Sequence, residues 1–205
     1  MGIYAVKPKF QKFLKPVENW LIKNKVHPTT INIAALLISI LSGLILYFSF
    51  WNWSVWFLLL IPVFVFTRTA LNALDGMVAR ALKIKNQEWG EVLNEFLDRL
   101  SDTAIFIGLA LNPLSNFILG SITIIVILLN SYLSILSKAA GGKRQYGGFM
   151  GKADRMFYLG TASVLVIIFN KFVIFKYLFI FILLSTLITL GQRFENIKRE
   201  LKKKE

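Results

Sequence analysis

The sequence predicts an all-α integral membrane protein, with six transmembrane helices preceded by an N-terminal amphipathic helix at the membrane interface. Three observations predict this class. Of the 205 residues, 56% are hydrophobic, which is unusual for a soluble domain. The apolar residues form stretches near the ~20 residues that cross the hydrocarbon of a bilayer. The basic residues, which give a formal net charge of +13, lie between those stretches.

The first element is the interfacial helix, predicted over residues 8–25. Its apolar side chains recur at helical spacing while its lysines take other positions, and Pro16 is expected to split or kink it. The polar turn at residues 26–30 offers capping residues to the first span.

Six apolar stretches follow and predict the six spans. They cover residues 29–50, 54–80, 90–111, 114–137, 153–170 and 173–192. Turns at residues 51–53 and at Asn112-Pro113 separate two of the pairs. We therefore divide the chain into an interfacial arm at residues 1–28, a six-helix membrane domain at 29–192 and a basic tail at 193–205.

The basic residues indicate how the chain is oriented. All clusters fall on one side of the six stretches: the arm, Lys83 and Lys85, residues 138–155, and residues 193–204. The positive-inside rule places that side and both termini in the cytoplasm of a multi-pass inner-membrane protein. A nucleic-acid-binding protein would distribute these cations along a soluble face, so no nucleic-acid partner is expected.

Acidic residues inside the apolar stretches point to function. Four of the eleven lie there: Asp75, Glu95, Asp98 and Asp102. An ionisable group inside a span costs roughly 2.5–3.5 kcal/mol on insertion scales and usually has a function. Asp75 lies about 8 Å along its helix from the end near Arg80, and Asp98 about 12 Å from the start of the next span. Two neighbouring antiparallel helices would bring both carboxylates to a similar depth.

Carboxylates that converge in this way need a cation, because they otherwise repel one another or take up protons. Oxygen ligands suit Mg²⁺ or Mn²⁺, which hold and polarise phosphate groups. We therefore predict a divalent-cation site at Asp75 and Asp98. Asp102 is deeper and is either a further ligand or a protonated residue that bridges helices. A purely structural pairing is favoured for Glu95 and Arg99.

The same segment resembles the signature of the CDP-alcohol phosphotransferase family. Residues 72–80 read N-A-L-D-G-M-V-A-R, and Gly90, Asn94 and Asp98 follow. The family pattern is D-x-x-D-G-x-x-A-R-x8-G-x-x-x-D-x-x-x-D. Asn72 and Asn94 stand where the first and third aspartates are expected, and nine residues replace the spacer of eight. The resemblance is to a divergent subgroup.

This resemblance implies that an alcohol hydroxyl attacks the lipid-linked phosphorus of a CDP-activated donor and that CMP leaves. It implies Asp98 as the general base and a homodimer as the assembly. The metal ligands that it implies are drawn from Asp75, Asp98, Asn72, Asn94 and Asp102, with Glu95 or Asp102 as possible substitutes for missing ligands. The nucleotide-binding residues that it implies are Asn72, Asp75, Gly76, Ala79 and Arg80.

The glycine-rich segment at residues 142–155 adds four cations on the cytoplasmic side. Lys143, Arg144, Lys152 and Arg155 could bind a phosphorylated acceptor or the diphosphate of the donor. Lys152 and Arg155 are the better candidates because they lie at a predicted helix start. Ordinary positive-inside charge explains Lys143 and Arg144 equally well.

The expected function is transfer of a phosphatidyl group from CDP-diacylglycerol to a small polar or phosphorylated alcohol, within a membrane and with Mg²⁺ or Mn²⁺. One alternative is a CDP-choline- or CDP-ethanolamine-type transfer onto a lipid alcohol. An alternative from another class is an ion-coupled transporter with Asp75, Asp98 and Asp102 along the ion path. The sequence shows no internal repeat of the kind that marks many transporters, which disfavours that alternative.

Overall fold

The structure is a computed structural model that describes residues 7–51, 54–83 and 87–202. Part of the predicted turn at residues 51–53, Lys85 of the basic clusters, and the ends of the arm and the tail lie outside the described residues.

The described chain is helical. Its elements are α1 (Lys7–Lys23), α2 (Pro28–Phe48), a 3₁₀ helix (Ser54–Leu59) leading into α3 (Leu60–Ala81), α4 (Gln87–Leu111), α5 (Phe117–Ala139), α6 (Lys152–Phe169) and α7 (Val173–Lys202). The described ranges contain no strand, which confirms the predicted all-α class. Each predicted apolar stretch coincides with one helix from α2 to α7, although α7 extends well beyond residue 192.

Within the described residues, four helical segments are long and apolar enough to cross a membrane. They are Pro28–Phe48, Val55–Ala81, Phe117–Ala139 and Val173–Lys202. The other two helices of the bundle, α4 and α6, carry more charged side chains in their N-terminal halves. The presence of several apolar spans is therefore supported by length and composition, and the count of six stays a prediction.

Helix α1, the first described element of the chain, packs on α3. It runs through Pro16 without interruption, so the predicted split does not occur. Leu14 and Leu21 are buried in one cluster with Leu74 of α3. The chain then turns into α2, whose N-cap is His27: its Nδ1 accepts a hydrogen bond from the Thr29 backbone N–H at 3.3 Å.

Helix α2 packs along both α3 and α4. It meets α4 closely at Gly43 and Gly108, where a Cβ atom on either glycine would overlap backbone atoms of the facing helix. Further along, the Asn112 amide donates to the Leu46 carbonyl at 2.7 Å and to the Ser49 hydroxyl at 3.0 Å. Gly43 meets Gly108, and the later residues Leu46 and Ser49 meet the later residue Asn112, so α2 and α4 run parallel.

The arrangement leaves a space between α3 and α4. Helix α3 packs on α2 and α6, whereas α4 packs on α2 and α5, and among the described residues α3 and α4 form no extended interface. Side chains from α2 and α6 reach into the space between them, and the predicted site residues lie along it.

The close approach of α2 and α4 yields a stability prediction. Gly108→Ala should lower the free energy of unfolding by about 1–3 kcal/mol, because the added methyl group meets backbone that no side-chain rotation can move. Thermal unfolding of the purified protein in detergent measures this. Gly191→Ala in α7 is the matched control, since a Cβ atom there meets nothing within 4 Å. Equal melting temperatures for both variants would contradict the close contact.

Candidate active site

Asp75 is held in place by two helices. It lies on α3 and is only 6% exposed. Its Oδ1 accepts a hydrogen bond from the Gly76 backbone N–H at 2.6 Å, and the Asn32 side chain of α2 lies beside the same carboxylate. The carboxylate is therefore fixed both by its own helix and by a helix packed beside it.

Asp98 of α4 faces the same space. Lys152, the first residue of α6, pairs with its Oδ1, and Arg99 Nη2 lies 3.8 Å from its Oδ2. Asp75 and Asp98 are close enough for their charges to repel, and Lys152 attracts both. The structure thus brings the two predicted acids into one electrostatic environment, with an ammonium group next to them.

Asp102 is one turn deeper and forms the centre of a buried ion cluster. Its Oδ1 accepts a hydrogen bond from Arg68 Nη2 of α3 at 2.6 Å, and its Oδ2 one from Arg155 Nη2 of α6 at 3.0 Å. Arg68 and Asp102 are each 1% exposed. Since both carboxylate oxygens are engaged by guanidinium groups, the geometry favours an ion-pairing role for Asp102 over the predicted metal-ligand role.

Glu95 lies nearer the start of α4 and pairs with Arg144 of the glycine-rich segment and, at 3.6 Å, with Arg99. Arg144 also lies over the ring of Tyr146, 4.6 Å from its centroid. Glu95 therefore already has two cationic partners, and this geometry argues against its use as a substitute metal ligand.

The signature glycines border open space. Among the described residues outside the helix's own backbone, an added Cβ at Gly76 would meet Arg80 Nη1 at 3.4 Å and no other atom within 4 Å, and one at Gly90 would meet none. Neither glycine serves close helix packing here, which leaves room for a ligand beside the α3 backbone. Asn72, Ala79 and Asn94 are half-buried on α3 and α4.

Arg80 is exposed at the end of α3 and borders an open cavity of about 460 Å³ between α3 and α1. The cavity is lined by Gln11, Lys12, Lys15, Glu18, Met77, Arg80 and Ala81. Helix α1 thus adds two lysines beside the end of the signature segment.

Helix α7 anchors the segment that carries the predicted acceptor cations. The Lys143 backbone N–H donates to Glu200 Oε1 at 2.7 Å, and the Met150 backbone N–H donates to Thr189 Oγ1 at 2.8 Å. Buried Arg193 donates to the Gly147 and Asn130 carbonyls at 3.0 and 2.9 Å. Of the four predicted cations, Arg144, Lys152 and Arg155 reach acids of α4, whereas Lys143 is exposed.

Sequence reasoning missed Asn32, Arg68 and Arg193. Arg68 had a detectable signal, because a charged residue in the middle of the apolar run of α3 falls under the same rule that singled out Asp75. Arg193 was counted only within the basic tail. Asn32 is a lone carboxamide in an apolar helix, and no pattern distinguished it.

The donor atoms at this site fit a hard divalent cation. Across the described ranges no three His, Cys, Asp or Glu side chains gather to hold a metal. Asn32, which lies beside Asp75, adds an amide oxygen, Oδ1, that is buried without a hydrogen-bond partner among the described residues. Two carboxylates and an available carbonyl oxygen are ligands that Mg²⁺ and Mn²⁺ prefer.

The chain is similar in sequence to a membrane protein and to two phospholipid synthases. The chain is 37% identical over 171 residues to Inner membrane protein YnbA of Escherichia coli (strain K12), which covers 83% of each chain. It is 28% identical over 196 residues to the archaetidylinositol phosphate synthase of Pyrococcus horikoshii, 96% of each chain. It is 33% identical over 101 residues to the phosphatidylinositol phosphate synthase of Cutibacterium acnes, 49% of this chain and 45% of that one. The chain belongs to the CDP-alcohol phosphotransferase family.

Solved structures show the same fold. The phosphatidylinositol phosphate synthase PgsA1 of Mycobacterium tuberculosis, in complex with manganese and citrate, aligns with a TM-score of 0.72 at 22% identity, over 89% of this chain and 87% of that one. The same protein with CDP-DAG bound gives 0.67 at 21% identity, over 91% and 94%. No protein-family model matches the chain. The predicted family and enzyme class, a CDP-alcohol phosphatidyltransferase, are confirmed by the relatives.

Proposed function

We propose that this CDP-alcohol phosphotransferase transfers a phosphatidyl group from CDP-diacylglycerol to a small polar or phosphorylated alcohol. The observation that carries the proposal is the placement of Asp75 and Asp98, both from the family signature, in one charged space between α3, α4 and α6. The crystal structure of PgsA1 with CDP-DAG bound supports the donor. The two synthases named for inositol phosphate lipids support a phosphorylated polyol as the acceptor class.

In the proposed reaction, the acceptor hydroxyl oxygen forms a bond to the lipid-linked phosphorus while the bond from that phosphorus to CMP breaks. Asp98 accepts the hydroxyl proton, as a carboxylate beside the attacking oxygen can. Asp75, Asp98 and the half-buried Asn72 and Asn94 would hold Mg²⁺ or Mn²⁺, the predicted cofactor. When bound, the cation would neutralise the diphosphate and stabilise charge on the departing CMP. A manganese complex of PgsA1 supports this choice of metal.

The remaining roles are assigned by position. Gly76, with open space above its Cα, and Ala79 would let the CMP moiety approach the α3 backbone, and Arg80 would meet its phosphate. Lys152 and Arg144 are half-buried at the same charged space and would bind the acceptor phosphate or the diphosphate. Lys143 is exposed on the same segment. Arg155, whose Nη2 pairs with Asp102, would act by holding α6 against α4.

We further propose that α4 and α6 also cross the membrane, giving six spans with both termini in the cytoplasm. The charged side chains of these helices pair with one another inside the bundle. Their outward faces are apolar, with Phe96 and Ile107 exposed on α4 and Phe157 and Ile168 exposed on α6. The name of YnbA supports an inner-membrane location. The assembly that we propose is a homodimer. Helix α1 of each subunit would lie at the membrane interface.

The test is CMP release by the purified protein. With CDP-diacylglycerol and Mg²⁺ or Mn²⁺, we expect CMP only when a suitable alcohol is added, and none when a chelator removes the metal. A panel of glycerol phosphate, serine, inositol and inositol phosphate identifies the acceptor. CMP release from CDP-choline with a lipid alcohol, and none from CDP-diacylglycerol with any acceptor, would contradict the proposal and favour the alternative transfer.

A further inference from the structure

Asn32 of α2 is a buried carboxamide directly beside Asp75. It is 7% exposed, and its side chain lies beside the Asp75 carboxylate. An ionised carboxylate only accepts hydrogen bonds, so the amide nitrogen is the atom of Asn32 that can donate to Asp75. The other polar atom of the amide, Oδ1, is buried and has no hydrogen-bond partner in the part of the chain that the structure describes.

This unpaired oxygen is exceptional on its helix. Ser39 and Ser42, which are also buried on α2, donate to backbone carbonyls one turn earlier, at 2.6 and 2.7 Å. Buried polar atoms in folded proteins nearly always have a partner, because water that is lost on burial must be replaced. Among the described residues of α2, the buried side-chain oxygen that has no hydrogen-bond partner therefore belongs to a side chain beside Asp75.

The chemistry of the neighbours identifies the missing partner as a cation. Asp75 and Asp98 make the surroundings negative, and a carbonyl oxygen is a ligand that Mg²⁺ and Mn²⁺ accept readily. The chain also has Asn72 and Asn94 where the family pattern has aspartates, so the site has fewer charged ligands than the pattern provides. A neutral oxygen from a third helix would add to the coordination without adding charge.

We propose that Asn32 is a ligand of the divalent cation, with its Oδ1 on the metal and its amide nitrogen orienting Asp75. The inference rests on the proposed function only through the presence of the cation. Helix α2, which carries no acidic residue, thus completes a metal site otherwise built from α3 and α4.

The experiment measures Mn²⁺ binding to the full-length protein in detergent, without substrate, from the electron paramagnetic resonance signal of free Mn²⁺. We expect Asn32→Ala to weaken Mn²⁺ binding roughly 10- to 100-fold, the range found when residues that support metal ligands are removed. Asn32→Asp, which keeps an oxygen at this position, should bind Mn²⁺ no more weakly than the wild type. Ser39→Ala, two turns along α2, is the control and should leave binding unchanged.

Wild-type affinity in Asn32→Ala would overturn the proposal. So would Asn32→Asp that binds Mn²⁺ as weakly as Asn32→Ala, because the donated hydrogen bond would then be the property that matters. Melting temperatures without metal establish that each variant folds. If Asn32→Ala does not fold, the comparison of Asn32→Asp with the wild type decides: binding at least as tight supports the ligand role, and weaker binding overturns it.

CMP release separates this inference from the proposed function. If Mn²⁺ binding depends on Asn32 but the wild type releases no CMP with any donor and acceptor, the proposed reaction fails and the ligand role stands. If CMP is released with Mn²⁺ and Asn32→Ala changes neither affinity nor rate, the ligand role fails alone.

Discussion

Asp98→Asn should reduce CMP release by at least about 10²–10⁴-fold, the usual contribution of a general base. Asparagine has nearly the same shape, but it cannot take the proton of the acceptor hydroxyl and carries no charge for the cation. Initial rates of CMP release at saturating donor and metal measure the effect. Glu91→Gln is the matched control on the same helix, since Glu91 pairs at 2.5 Å with Lys138 on the exposed surface.

Asp75→Asn should give a similar loss of CMP release through a different cause. Asp75 is proposed to hold the metal and not to take the proton, so raising the Mn²⁺ concentration should recover part of the rate in Asp75→Asn and less of it in Asp98→Asn. Both variants should remain folded, because the substitutions preserve side-chain volume. Wild-type rates in both would show that the reaction takes place elsewhere in the protein.

Asp102→Asn should produce the largest loss of stability, about 3–5 kcal/mol in the free energy of unfolding. The substitution removes the negative charge between the Arg68 and Arg155 guanidinium groups, which are buried and have no solvent to stabilise them. Thermal unfolding in detergent measures the loss. Glu195→Gln is the control, because the Glu195–Arg199 pair is exposed and should contribute less than about 1 kcal/mol.

The same variant distinguishes the two roles considered for Asp102. A metal ligand would lose Mn²⁺ affinity while the metal-free protein kept its melting temperature. An ion-pairing residue would lose melting temperature even without metal. The first result would contradict our reading of the cluster around Asp102, in which both carboxylate oxygens are already bonded to arginine.

Much of the candidate site was predictable because its signals are local in the chain. Asp75 and Asp98 stand out as acids within apolar runs, and the signature spacing places them on consecutive helices. The cations at residues 143–155 were found in the same way, as a charged segment between two spans. What each cation contacts was not predictable. Lys152 meets Asp98 and Arg155 meets Asp102, across more than fifty residues of chain.

The different partners of Asp98 and Asp102 show most clearly what could not be predicted from the sequence. The two acids lie one turn apart on the same face of α4, and sequence reasoning treated both as possible metal ligands. Arg68 on α3 and Arg155 on α6 form ion pairs with the deeper one, Asp102, whereas Arg68 meets Asp98 at its backbone carbonyl, at 3.5 Å. Asn32 shows the converse case, since a residue without any distinctive pattern becomes important only because α2 packs against α3 beside Asp75.

By itself the sequence predicted the helical membrane class, the family and the pair of candidate acids, because hydropathy, helix length and motif spacing are properties of neighbouring residues. Only the tertiary structure decided that α2 lies against both α3 and α4, that Asp102 is bound by two arginines, and that Asn32 reaches the site. Such contacts depend on how whole helices pack. Glycines such as Gly43 and Gly108 permit close packing, but the sequence around them does not indicate which helix they contact.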